Sequence, residues 1–211
     1  MRRPGNLWLW LGLIATMAAT TPVADDPWAP LRSARESLSA NSPLAAEFVQ
    51  SFIPAGFSSG DSERGRLYLA LPDCLRWDYE EPYPRSYLLC GDTVWAWSPD
   101  ESVGDRFDHV SRDEAGLDFL LLSVDRLSER YAAAVSRGAD GTVRLDLEPL
   151  SDEAAFRQAT IRLDASTGYP LEISYSDHEG NRTLFELSSF GPSEGSERFS
   201  PPDDIEWVAS E

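Results

Sequence analysis

The chain has 211 residues, with 36 acidic and 18 basic side chains and a formal net charge of −18. Such an acidic excess excludes charge-driven binding to nucleic acid or to an anionic bilayer surface, and its plain consequence is solubility. Two cysteines and two histidines, far apart in sequence, offer no zinc-ligand pattern, and no phosphate-binding loop or cofactor motif occurs.

The first residues read as a secretory leader. Arg2 and Arg3 form a basic start, Leu7 to Ala19 an apolar run, and Ala18, Ala19, Thr20 and Ala24 a small-residue region before Asp25. The run is too short and wrongly flanked for a membrane span. Cleavage is expected before about Asp25. With no cysteine at the junction, the mature chain is expected to be soluble and not lipid-anchored. Removing residues 1–24 takes two arginines and no acid, so the net charge moves from −18 to −20. Residues 25–211 suffice for a single domain with a sizeable core.

Pro27 to Ala40 predicts an amphipathic helix, with Asp26 as N-cap, Pro27 in the first turn, and Leu31, Ala34 and Leu38 on one face. Asn41-Ser42-Pro43 ends it. Leu44 to Phe52 predicts a strand with Leu44, Ala46, Phe48 and Gln50 on one side, and residues 53–64 a Gly- and Ser-rich loop. Arg66 to Leu71 predicts a strand with Leu67, Leu69 and Leu71 on one face. Leu75, Trp77 and Tyr79 continue that face, opposite Cys74, Arg76 and Asp78, and Tyr87 and Leu89 carry it across the next hairpin.

If Glu81-Pro82-Tyr83-Pro84 is the hairpin tip, positions whose numbers sum to 164 oppose one another. Trp77 then faces Tyr87, and Cys74 faces Cys90 at the separation a disulfide needs. Export and the even cysteine count favour that bond, which would stabilise by about 3 kcal/mol.

Gly91-Asp92 is a turn, Val94 to Trp97 a strand, and Val103 to Val110 a short strand. From Asp113 to Arg130 the rhythm changes: Leu117, Leu120, Leu121, Val124 and Leu127 recur at threes and fours, which predicts one helix or two. Strands resume at Tyr131 to Val135, then through Val143, Leu145 and Leu147, Thr160 to Leu163, Leu171 to Tyr175, Arg182 to Leu187 and Ile205 to Val208. The fold class is mainly β (α+β). About ten strands should form a single curved antiparallel sheet, an unclosed half-barrel, with the N-terminal helix and a mid-chain helical segment over its mouth.

The order of motifs resembles the LolA family. Ala46-Glu47-Phe48-Val49-Gln50 is similar to that family's F-x-A-x-F-x-Q strand, Pro72 with Leu75-Arg76-Trp77 to its R-P…F/L-R-W, and Trp95, Trp97 and Pro99 to its W-x-Y-x-P. Gly168 to Pro170, Asp177 to Thr183 and Phe199-Ser200-Pro201-Pro202 resemble its C-terminal strands, its D-x-x-G-N turn and its closing F-x-P-P. The resemblance implies an unclosed barrel, with a lid helix near Gly116 to Leu122, that carries acyl chains in an apolar cavity. It further implies a monomeric periplasmic carrier without catalysis or cofactor. Its partners would be acylated lipoproteins, an inner-membrane lipoprotein-releasing ABC transporter and an outer-membrane acceptor lipoprotein. The same fold would also suit a carrier of another lipid, or an envelope lipoprotein sensor.

The candidate cavity residues are Leu75, Trp77, Tyr79, Tyr87, Leu89, Leu117 and Leu121, although an alternating apolar face ordinarily just builds a core. Leu71 stands where the family often has an arginine thought to hydrogen-bond toward the lid. Leucine cannot donate, so that latch is in doubt. A remote enzyme reading rests on Gly56-Phe57-Ser58-Ser59-Gly60, a G-x-S-x-G with Asp164 and His178 in hydrolase order. Its context fails, because that motif needs a strand before it and a helix after it, and here a strand follows. His109 and His178 are expected to be surface or turn residues, and Asp25-Asp26 and Asp203-Asp204 solvated charge.

Overall fold

The computed structural model describes residues 26–110, 123–152, 154 and 156–210. Among them are helices α1 (Ala29–Ala40) and α2 (Val124–Arg130). The first six strands are β1 (Leu44–Ile53), β2 (Asp61–Ala70), β3 (Cys74–Glu81), β4 (Arg85–Cys90), β5 (Thr93–Trp97) and β6 (Val103–Phe107). The rest are β7 (Tyr131–Arg137), β8 (Thr142–Pro149), β9 (Gln158–Asp164), β10 (Pro170–Ser176), β11 (Arg182–Pro192) and β12 (Glu206–Ser210). All twelve form one open sheet in the order β12-β6-β5-β4-β3-β2-β1-β11-β10-β9-β8-β7. Neighbours run antiparallel except β12, which lies parallel to β6. Among the described residues no helix is long and apolar enough to cross a membrane.

Alternation decides which side of each strand is covered. Val143, Leu145 and Leu147 of β8 are buried on the inner face, while Arg144 and Glu148, which alternate with them, point outward. Laid flat, twelve strands would span roughly 50 Å, whereas a helix the length of α1 reaches only about 18 Å. Yet one apolar cluster unites Leu31, Ala34 and Leu38 of α1 and Leu127 of α2 with buried side chains from β4 on one side to β7 on the other. The sheet must therefore curl around its helices. Gly65 aids the bend: a Cβ there would stand 1.9 Å from the Asp78 carbonyl oxygen, beside a bulge in the β2–β3 ladder.

Several expectations need correction. Helix α1 begins at Ala29, not Pro27, and Pro30 occupies its first turn, where a missing N–H is harmless. Its N-cap is Trp28. Asp26 instead accepts from the Trp28 N–H at 3.0 Å and pairs with Arg32, so it is more than solvated charge. The 53–64 loop is shorter than expected. Asp61, Ser62 and Glu63 already belong to β2, held through backbone pairing with β1 despite polar side chains. Leu71 lies just past β2, yet its side chain joins the core. Of the mid-chain helix, Val124–Arg130 is described, with Ser123 Oγ accepting from the Arg126 N–H at 3.3 Å; its earlier part lies outside the described residues.

The outer face carries a second, smaller core. After β11 the chain crosses that face through a 3-10 turn, Ser196–Phe199, before entering β12. Beneath it Tyr68, Leu88 and Trp97 are buried. Arg198 stands 4.6 Å over the Tyr68 ring, and Trp207 meets Trp97 edge-on at 5.8 Å. Arg76 donates to the Arg198 carbonyl at 3.2 Å and to Asp78 at 2.7 Å, and lies 5.0 Å over Trp97. Ser86 donates to the same Asp78 oxygen at 2.7 Å. The Cys74–Cys90 disulfide is also on this face, with Cα atoms 4.3 Å apart in the register derived from the hairpin tip.

Candidate functional site

The β3–β4 register sets Leu75 against Leu89, Trp77 against Tyr87 and Tyr79 against Arg85. Leu75, Trp77, Tyr79, Tyr87 and Leu89 thus share the inner face. Leu75, Trp77 and Leu89 are 0%, 9% and 3% exposed and belong to the same apolar cluster as the helix side chains. Tyr79 and Tyr87 are only half-buried, nearer the open end where the β3–β4 tip projects. Leu117 and Leu121 lie outside the described residues.

Aromatic rings continue outward along this face. Phe48 meets Tyr79 edge-on at 5.0 Å, and Tyr79 meets Tyr87 at 6.0 Å. On the other side of the opening Tyr131 stacks on Phe156 at 5.2 Å, and Phe156 lies 6.0 Å from Tyr175. Such rings present a large apolar area to whatever packs against them.

At the mouth the chemistry turns polar. Arg85 forms a two-pronged pair with Glu63 at 2.6 and 2.8 Å and donates to the Tyr87 hydroxyl at 3.2 Å. Its guanidinium lies 4.0 Å over the Tyr79 ring. Tyr79 donates in turn to the Gln50 side-chain oxygen. Burial pushes the Tyr79 phenol far above its ordinary value, so it remains a donor. The Arg85 hydrogen bonds hold the Glu63 carboxyl below its own ordinary value. Gln50 and Glu63, with Phe52, Asp61 and Tyr83, line a pocket of about 430 Å³. Phe52 and Tyr83 there are 43% and 74% exposed.

Sequence reasoning did not single out Gln50, Glu63 or Arg85 as site residues. Arg85 was within reach, since it opposes Tyr79 in the register that pairs the cysteines. Gln50 was placed on the correct face without a role. Glu63 was hidden in the assumed loop.

The hydrolase residues are not assembled. Ser58 lies in the connection between antiparallel β1 and β2. Asp164 is tied into its own turn, accepting from the Ser166 and Thr167 N–H groups at 2.8 Å each. His178 Nε2 contacts the Ala154 carbonyl at 2.7 Å, past the far end of β10. A seven-residue strand separates these two, roughly 20 Å. His109 is exposed and faces Asp92 at 3.3 Å, and Asp203 and Asp204 are exposed.

The family model described as outer membrane lipoprotein carrier protein LolA matches residues 39–197. An outer-membrane lipoprotein carrier protein of Xanthomonas campestris pv. campestris (strain B100) is 28% identical over 150 residues, covering 70% of this chain and 70% of that protein. One from Chromohalobacter salexigens is 29% identical over 150 residues, covering 65% and 70%. Among solved structures, an uncharacterized conserved protein from Thermus thermophilus superposes with a TM-score of 0.57 at 14% identity, covering 86% of this chain and 98% of that one. MucB superposes at 0.53 and 14% identity, covering 86% and 64%. The two structural likenesses speak to the fold alone. The open, helix-covered sheet and the ordered motifs coincide with a family match over most of the chain, and the protein belongs to the LolA family of outer membrane lipoprotein carriers.

Proposed function

We propose that this protein is a periplasmic carrier, exported with residues 1–24 removed, that moves acylated lipoproteins from the inner to the outer membrane. The observation that carries the reading is the family match over residues 39–197, laid upon an unclosed sheet whose inner face, apart from its mouth, is apolar. Acyl chains cannot cross water bare: each exposed methylene costs about 0.8 kcal/mol, so ten cost roughly 8 kcal/mol. A face of Leu75, Trp77, Tyr79, Tyr87 and Leu89 supplies non-directional burial with few polar groups to leave unpaired. Leu117 and Leu121, from the segment before α2, complete it in this reading. Leu75, Trp77 and Leu89 are buried in one cluster with side chains of both helices, so loading requires that cluster to open and the chains to enter it. The work is binding and release, with no bond made or broken. Cargo would come from an inner-membrane lipoprotein-releasing ABC transporter and pass to an outer-membrane acceptor lipoprotein.

Native mass spectrometry of protein released gently from the periplasm tests this. A bound triacylated lipoprotein is the expected result. A different bound lipid would keep the apolar site and overturn the cargo, and protein that neither retains nor transfers lipoprotein in a reconstituted assay would overturn the reading.

A further inference from the structure

The polar residues at the mouth do something the apolar face cannot: they present a neutral hydrogen-bond donor to the pocket. Gln50 has its side-chain oxygen occupied by the Tyr79 hydroxyl, which leaves its NH₂ group as what it presents to the pocket it lines. Both Glu63 carboxylate oxygens are engaged by Arg85, and the Asp61 carboxylate in the same lining keeps the mouth acidic. Arg85 is itself spent on Glu63, Tyr87 and the Tyr83 carbonyl, so it does not act as a free cation. Counting Arg85, Glu63 and the neighbouring Asp61, the mouth carries a formal charge of −1. A free carboxylate or phosphate is repelled there, whereas a neutral carbonyl oxygen finds a donor.

We infer that Gln50 is a specificity-determining residue at the mouth: its side-chain NH₂ donates to the neutral ester or amide carbonyl where an acyl chain joins its carrier molecule. Tyr79 is a positioning residue, holding the amide oxygen so that the nitrogen faces the pocket. This rests on the acyl-carrier reading and deepens it. Beyond Gln50 lie Phe48, Tyr79 and the core, which take the methylenes; the linkage stays at the mouth, where Phe52 and Tyr83 flank it. The cargo class is thus acyl ester or amide in preference to free fatty acid of the same chain length.

The test compares two probes on the mature chain, a dipalmitoylglyceryl lipopeptide and palmitate, by displacement of a fluorescent acyl probe. Wild type should prefer the lipopeptide. Gln50→Leu should weaken lipopeptide binding about 3–10-fold, the size of one hydrogen bond, and leave palmitate unchanged or tighter. Tyr79→Phe, which keeps the ring but frees the amide, should cut the lipopeptide-to-palmitate ratio in the same direction. A variant that merely loosens the fold lowers both affinities together and leaves the ratio alone; that outcome, or an unmoved ratio in both variants, overturns the assignment. Wild type that takes up neither probe overturns the carrier reading as well, which separates the two failures.

Discussion

Replacing Cys74 and Cys90 together with alanine probes the hairpin register and the outer face at once. The bond closes a loop with a sequence separation of 16. Constraining a loop of that length removes about 3 kcal/mol of unfolded-state entropy at 25 °C. With a urea dependence of about 1–3 kcal/mol per molar, the unfolding midpoint should fall by about 1–3 M. Tryptophan fluorescence during urea titration reads this directly, on wild type, wild type with reductant, and the double variant; the last two should coincide. Thiol titration of the unreduced, denatured wild type should find no free thiol. The bond lies on the outer face, with Phe199 and not the inner cluster beside it. Lipopeptide affinity of the folded double variant should therefore match wild type. Two titratable thiols would refute the pairing, and an unmoved midpoint with the bond intact would refute the entropic argument.

Three further outcomes follow from the same structure. Arg76→Ala removes the side chain that joins Asp78, Trp97 and the Arg198 carbonyl, so amide hydrogen exchange should rise across 193–210 while α1 keeps its protection; unchanged exchange there would sink the clamp. Leu75→Ala empties a fully buried inner-face site and should cost about 2–5 kcal/mol in denaturant unfolding, whereas a cost below about 1 kcal/mol would mean the site collapses or is open to solvent. Asp164 is held at about 2 by the Ser166 side chain and the Thr167 and Ser166 N–H groups, below its ordinary 3.8. Its folded value lies below its unfolded one, so its stabilisation is complete above about pH 4 and fades as pH falls toward 2. Carboxyl NMR titration should place this group well below its neighbours, and a midpoint near 3.8 would disprove the turn's role.

The inner face and the disulfide were legible because one turn and a two-residue period determine a local hairpin. Once the tip is at Glu81 to Pro84, Cys74 must meet Cys90 and Trp77 must meet Tyr87. The outer core was not read, although a signal stood in the sequence. Leu67-Tyr68-Leu69 and Tyr87-Leu88-Leu89 are unbroken apolar runs, the mark of strands covered on both faces. Reading only alternation set Arg76 and Asp78 opposite the apolar face without a role, when they and Ser86 lie under the C-terminal crossing. What supplies that cover is distant in sequence: β12 pairs with β6 about a hundred residues away, and no local pattern announces a parallel partner. The start of β2 was missed for the opposite reason. Asp61, Ser62 and Glu63 carry no apolar period, and their pairing is purely backbone.

The two faces differ in the kind of bond they use, and that difference bears on how such a carrier can let go. The outer face holds the disulfide, the Arg76–Asp78–Ser86 cluster, the Arg144–Asp146–Thr160 group and the Arg162–Glu172 pair at 2.6 Å. These are directional contacts that fix strand spacing and curvature. The inner face, apart from its mouth, is leucine, isoleucine, valine and aromatic rings. Dispersion contacts of that kind are individually small and regained with any apolar partner, so helix cover and acyl chains can exchange there without leaving buried polar groups unpaired. A hydrogen bond deep in the cavity would oppose that exchange, because breaking it without water costs several times its net worth. Directional recognition therefore belongs at the mouth, where water can replace a departing carbonyl, and that is where Gln50, Tyr79, Glu63 and Arg85 stand.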